Sequence, residues 1–163
     1  MARVLIVGCG CRGRALASAL LADGYAVRGT TRDPSKVEEV SGSGADGVVA
    51  DPDRLTTLTP LLDGVSALCW LMGSATGAPR QVEALHGARL RSLLEALVDT
   101  HVRGCVYEAA GGVDRSLLAE GAHTVREVGQ TYHMPIAVVD ARPDAPEAWL
   151  AAMTRAVGEV LRP

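Results

Sequence analysis

Val4-Leu5-Ile6-Val7-Gly8-Cys9-Gly10-Cys11-Arg12-Gly13 is an apolar run that breaks into G-x-G-x-x-G, and Arg14-Ala15-Leu16-Ala17-Ser18-Ala19-Leu20-Leu21 follows it as a helix. Each glycine has a physical role at this spacing. Gly8 lets the chain turn sharply out of a strand, Gly10 lets the backbone approach a pyrophosphate, and Gly13 lets the helix pack close to the sheet. A phosphate placed there meets free N–H groups and the positive end of the helix dipole. Strand, glycine turn and helix together predict a dinucleotide site over Gly8, Gly10, Cys11, Arg12 and Gly13.

Outward from this turn, strand and helix signals alternate. Strands are expected at about 3–7, 25–30, 47–50, 67–71, 104–108 and 136–140. They are mostly continuous apolar runs, as strands covered on both faces should be. Between them, Val82, Leu85, Leu90, Leu93, Leu94 and Leu97 share a face of one long helix over Val82–Val98. Leu118, Val125, Val128 and Tyr132 share another, and Trp149, Leu150, Met153, Val157, Val160 and Leu161 form a stripe on the last helix. Asp33 before Pro34 is a candidate helix cap. Six strands and six helices in this order predict an α/β fold, a doubly wound parallel sheet in strand order 3-2-1-4-5-6. Its ligand is expected at the carboxyl edge.

The 163 residues carry no Pro/Gly/Ser-rich linker, and one domain over 1–163 is expected. A net charge of −3 gives no electrostatic reason to expect nucleic acid or an anionic membrane as partner. No apolar run reaches the roughly 18 residues of a membrane span. The first residues enter the fold directly, so the expectation is a cytoplasmic protein without a signal peptide. Cys69 and Cys105 lie in strand-like runs and read as small buried hydrophobes. Cys9 and Cys11 have no second Cys/His cluster at metal-binding spacing, so no metal site is expected. Their place at a helix N-terminus, where thiol pKa values fall, leaves a minor redox role open.

The end of the second strand bears on which dinucleotide binds. An NAD site usually has a carboxylate there for the ribose 2′-OH. Here Thr31 stands in its place and Arg32 follows, and a guanidinium suits a 2′-phosphate. Arg12 can add a second positive group. NADP is therefore preferred, with NAD as the alternative if Arg32 is simply solvated and Asp33 takes the acid's role. Asp51, after the third strand, has two readings: acceptor for the adenine amino group, or cap for a helix beginning near Arg54. Met72, Gly73 and the small residues up to Pro79 follow the fourth strand and leave room for the nicotinamide-side ribose and phosphates.

The chain resembles the atypical and extended short-chain dehydrogenase/reductases, especially NAD(P)-dependent epimerase-like and NmrA-like members. The resemblance covers nearly the whole chain. It rests on the glycine turn, Thr31-Arg32-Asp33-Pro34, Asp51, the segment Val106-Tyr107-Glu108-Ala109-Ala110-Gly111-Gly112, and the segment Met134 to Pro143. It implies a Rossmann NAD(P)-binding fold, with that last segment returning to the cofactor. G-x-G-x-x-G replaces the family's usual G-x-x-G-x-x-G. The family's active members use Tyr-x-x-x-Lys with a Ser or Thr after the fifth strand, and neither is found here. Lys36 is the only lysine and lies after the second strand, Tyr107 and Tyr132 are followed at the fourth position by Gly111 and Ile136, and Ala109 and Ala110 stand where the hydroxyl is expected. The chain also stops at Pro163, where extended members continue into a substrate lobe.

Glu108 ends the fifth strand at the ligand edge. It reads either as a general base or holder of a substrate hydroxyl with Tyr107 beside it, or as a polar strand end. His86, His101, His123 and His133 are scattered and read as solvated or helix-capping. Three functions follow. The first is an NADP-binding oxidoreductase without Tyr/Lys catalysis, passing hydride to a small molecule such as a flavin or quinone. The second is a non-catalytic NADP-sensing regulatory or interaction protein, and the third a scaffold with no nucleotide, against which the intact glycine turn weighs. A homodimer or protein partner is expected, using the part of the Trp149–Leu161 stripe that the sheet does not cover.

Overall fold

The computed structural model describes residues 1–163. The elements run β1 (Arg3–Val7), α1 (Cys11–Ala22), β2 (Ala26–Thr31), a 3-10 turn (Pro34–Lys36), α2 (Val37–Gly42), β3 (Asp46–Val49) and α3 (Leu55–Leu58), which passes into a second 3-10 turn (Thr59–Leu62). They continue with β4 (Ala67–Trp70), α4 (Pro79–Leu85), α5 (Ala88–Leu97), β5 (Gly104–Glu108), α6 (Arg115–Tyr132), β6 (Ile136–Val139) and α7 (Pro146–Val160). All neighbouring strands are parallel, in the order β3-β2-β1-β4-β5-β6. This is the predicted doubly wound sheet. Its direction of winding reverses between β1 and β4, which opens a crevice at their carboxyl ends.

Alternation along each strand sends side chains to two separate cores. Leu5, Val7, Leu68, Trp70, Cys105 and Tyr107 face α3 to α6. Val4, Ile6, Cys69 and Val106 face α1, α2 and α7. Cys69 and Cys105 are fully buried, as read from the sequence, and burial pushes both thiols up, Cys105 to about 12.

Two expectations need correction. The single helix over Val82–Val98 is two helices, so the chain has seven α-helices rather than six. The break falls at His86-Gly87, where the Trp70 indole donates to the Leu85 carbonyl at 3.0 Å and the His86 side chain turns into the core. Both demands are tertiary, and an apolar repeat does not reveal them. The apolar stripe on α7 is spent on the sheet: Trp149, Met153, Val157, Val160 and Leu161 are buried against it and Leu150 is partly covered, so a partner would have to meet the helix on its polar side.

Candidate functional site at the carboxyl edge

The glycine turn is anchored to β2. The Cys9 N–H donates to the Thr30 carbonyl at 2.8 Å and the Gly8 N–H to Thr30 Oγ1 at 3.2 Å. Gly8 has φ +89°, and a Cβ there would stand 2.3 Å from Met72 Cε, so only glycine fits. A Cβ on Gly13 would lie 3.1 Å from the Gly8 carbonyl, which is the close helix–sheet approach expected of this position. At Gly10 a Cβ would meet no atom within 4 Å and would project into open space at the mouth of the turn.

The first hydrogen bond of α1 runs from the Arg14 N–H to the Gly10 carbonyl, leaving the N–H groups of Cys11, Arg12 and Gly13 without helical acceptors. No side chain caps this end and no acid lies in its first turn. The result is a row of free donors at a positive helix end, where a cleft of about 440 Å³ lined by Cys11 adjoins a smaller hollow of about 200 Å³ lined by Cys11, Arg12 and Gly13.

That cleft is lined by Gly8, Gly10, Cys11, Thr31, Arg32 and Met72 from the predicted set, and also by Arg14, Lys36 and Glu39. The last three were missed. In the sequence Arg14 is one residue of a helix run and Lys36 a lone lysine after the second strand, with no local signal that brings them to the ligand. The Glu39 carboxylate pairs with Arg14 and, at 3.5 Å, with Lys36, and these two cations hold it below its ordinary pKa, Arg14 contributing most. Arg32 makes no ion pair and is exposed to the cleft. Three cations thus face one carboxylate. Thr31 Oγ1 accepts from the Asp33 N–H at 3.2 Å. The Asp33 carboxylate accepts from the N–H and hydroxyl of Ser35, as a cap should, and those bonds lower its pKa. Asp51 Oδ1 accepts from the Asp53 N–H at 2.9 Å, which closes a turn ahead of α3 instead of capping the helix.

Arg12 departs from expectation. Its guanidinium turns away from the β2 end and pairs with Glu108 through Nη2 at 3.2 and 3.1 Å, while lying 5.6 Å from the centre of the Trp149 ring. The Glu108 carboxylate is fully buried and also accepts from the Gly73 N–H and from Trp149 Nε1, each at 2.9 Å. Glu108 is not a base facing a ligand; it is a polar strand end that accepts a backbone N–H, as one of its two readings had it, and also binds two distant side chains. It is an internal tie joining the glycine turn, the β4 loop and α7. Gly73 is likewise a packing position, because its N–H is used by Glu108 and a Cβ would fall 2.0 Å from the Ala110 carbonyl, where two loops cross.

Tyr107 is also corrected. It points to the opposite face of the sheet from Glu108 and is fully buried. The Met72 carbonyl, 2.9 Å from His86 Nε2, can only accept, so Nε2 carries the proton and Nδ1 accepts from the Tyr107 hydroxyl at 2.6 Å. Burial, with the Glu108 charge adding to it, raises the Tyr107 pKa, and burial lowers that of His86. His86 is therefore a core residue and not a solvated one. Gly121 makes room for this pair: a Cβ there would lie 2.0 Å from the Tyr107 hydroxyl. Cys9 is buried against Gly29, and burial pushes its thiol up to about 11, the reverse of the lowering expected at a helix end. Cys11 is exposed, and no cluster of metal ligands is found.

From the glycine turn the groove continues past Ser74 into a hollow of about 690 Å³ at the ends of β5 and β6. Ser74, Ala109, Ala110, Arg115, Asp140 and Arg142 are among its walls. Arg142 is held by a two-point pair with Asp144, at 3.1 and 2.7 Å, while Arg115 and Asp140 have no ion-pair partner. Asp140 was read only as the end of a strand.

A family model described as NAD(P)H-binding matches residues 8–145, from the glycine turn to the loop before α7. The chain belongs to this NAD(P)H-binding family. The kinship read from the turn is borne out at that level. No curated protein matches the sequence. Among solved structures, the chain is similar to BdcA (YjgI) from E. coli, with TM-score 0.76 and 15% identity over 98% of this chain and 92% of that one. It is similar to UDP-glucuronic acid 4-epimerase from Bacillus cereus in complex with NAD, with TM-score 0.66 and 18% identity over 86% of this chain and 56% of that one. The UDP-glucose 4-epimerase from Brucella ovis in complex with NAD gives 0.69 and 17% over 87% and 51%. At these identities the likeness is one of fold. The NAD(P)H-binding chain spans about half the length of the epimerases it matches.

Proposed function

We propose that the chain binds NADP(H) in preference to NAD(H) and acts as a reductase for an acceptor, such as a flavin or quinone, that takes hydride without a matched proton donor. The observation that carries the cofactor choice is Arg32, an unpaired guanidinium on the cleft beside Arg14 and Lys36. A 2′-phosphate brings the charge these three cations lack, and a charge-assisted bond of this kind is worth roughly 1.5–3 kcal/mol. The free N–H groups of Cys11, Arg12 and Gly13 suit the pyrophosphate, and the open space at Gly10 fits its close approach.

When bound, the cofactor supplies a hydride. The chain's own residues offer little for the accompanying proton. Tyr107 is sealed in the core with its hydroxyl given to His86, Glu108 is saturated by four hydrogen bonds from three donors, and Lys36 stands at the β2 end of the groove. A tyrosine needs a lowered pKa to act near neutral pH, and burial moves this one the other way. Asp140, unpaired on the wall of the larger hollow, replaces Glu108 as the acid to test.

The deciding experiment is a fluorescence titration with NADPH and NADH, followed by NADPH oxidation assays with flavin and quinone acceptors. Tighter binding of NADPH and turnover with these acceptors are expected. Oxidation of simple secondary alcohols should stay below about 1 s⁻¹, the low end of ordinary turnover. Tighter binding of NADH, or rapid alcohol oxidation, overturns the reading. The same lack of a free proton donor favours a second reading, a cofactor-sensing protein. NADPH binding with no turnover of any acceptor would select it.

A further inference from the structure

β5 is wholly buried, yet Ile136, Ala137 and Val138 of β6 are only partly covered, because β6 is the sheet's open edge. The Cys105 and Ala109 N–H groups donate to the Pro135 and Val139 carbonyls. By strand alternation, the polar groups of Ile136 and Val138 point outward with no acceptor or donor opposite them. A row of this kind is a template for another strand. A groove of about 420 Å³ follows the edge, walled by Arg126 of α6 on one side and by Ala152, Arg155, Ala156 and Glu159 of α7 on the other. None of Arg126, Arg155 and Glu159 has an ion-pair partner within the chain, although seven other arginine and lysine side chains do.

We propose that this edge is a self-association surface whose occupant is a second copy of the chain, β6 pairing antiparallel with β6 across a two-fold axis into a continuous twelve-stranded sheet. Two features favour a second copy over a foreign strand. The first is charge. Arg155 and Glu159 lie one helical turn apart on the same wall, so an antiparallel α7 pair sets Arg155 of each copy against Glu159 of the other, twice. The second is spacing. α7 packs over β5 and β6. Joining the sheets by β6 sets the two α7 helices about two strand spacings apart, roughly 10 Å. That is the upper end of ordinary helix–helix distances, and the small Ala152 and Ala156 between the helices permit it. The antiparallel arrangement points the two dinucleotide clefts in opposite directions, so neither is covered.

The test is mass by light scattering and sedimentation on the wild-type chain at tens of micromolar, together with Arg155→Glu, Glu159→Arg and the double exchange. A wild-type dimer is expected, with each single reversal weakening it by about tenfold or more through like-charge contact. The double exchange should restore it. Helical circular dichroism and NADPH affinity, read on the same samples, should not change, which separates loss of the dimer from loss of the fold. A monomeric wild type overturns the proposal. So does a dimer that both single reversals leave intact, or a double exchange that stays monomeric.

Discussion

The two halves of the carboxyl edge differ in what their charged groups are free to do. At the β1–β2 end, N–H donors and a guanidinium stand open to a cleft, and the only carboxylate is outnumbered. At the β4–β5 end, the acid and the tyrosine that chemistry would use are both buried and saturated by internal partners. The first half is built to receive an anion; the second is built to hold the first in place. In an ordinary dehydrogenase both halves would face the ligand, so the contrast separates binding from proton transfer.

The contrast breaks most directly at Gly10. Gly10→Val leaves the fold intact, because nothing in the protein occupies the space its side chain would enter, and should abolish NADPH binding. Unchanged affinity in the folded variant would show that the free N–H groups of α1 do not receive the ligand. Next in size is Glu108→Ala, which strands the Arg12 guanidinium, the Gly73 N–H and the Trp149 indole together. We expect a loss of about 3 kcal/mol in urea unfolding, the lower end for a broken buried pair, since Arg12 is about one-third exposed. If stability is unchanged and only turnover is lost, Glu108 is a catalytic group after all.

Arg32→Ala should weaken NADPH by about ten- to a hundredfold, the loss of one charge-assisted contact, and leave NADH nearly unchanged. Equal loss for both cofactors in parallel titrations would remove Arg32 from the 2′-phosphate. The smallest effect is a pH slope. His86 is held neutral by burial below its ordinary value near 6.5, so as pH falls past that value the unfolded chain takes up a proton that the native state refuses. Stability is fully present above about pH 6.5 and declines below it, down to the lowered native value. Melting temperatures at pH 7.5 and 5.5 should differ less in His86→Gln than in the wild type.

The sheet order and the glycine turn were legible because they depend on local properties: apolar runs, turn geometry, and a helix that needs no side-chain cap. What was not legible depends on which way a side chain faces. Tyr107 and Glu108 are neighbours in sequence and, by strand alternation, belong to different cores, so their pairing as one acid–base site was wrong on geometry alone. That alternation is a property of any strand and is readable from the sequence. The destination of Arg12 was not, since Glu108 lies 96 residues away. Arg14, Lys36 and Glu39 gather only when α1 and α2 lie side by side. The apolar stripe of α7 is legible, but the sheet buries every large residue in it except Leu150, which is partly covered.

The carboxylate of Glu108 also makes the glycine turn depend on distant parts of the chain. It holds Arg12 from α1 and Trp149 from α7, so the loop at the dinucleotide cleft is fully braced only when β5 and the final helix are both in place. The glycine turn is local in sequence, yet its brace lies 96 residues away and is itself held by α7. The phosphate-binding sequence is therefore complete by the end of α1, while the finished phosphate-binding surface draws on the far half of the sheet and its last helix.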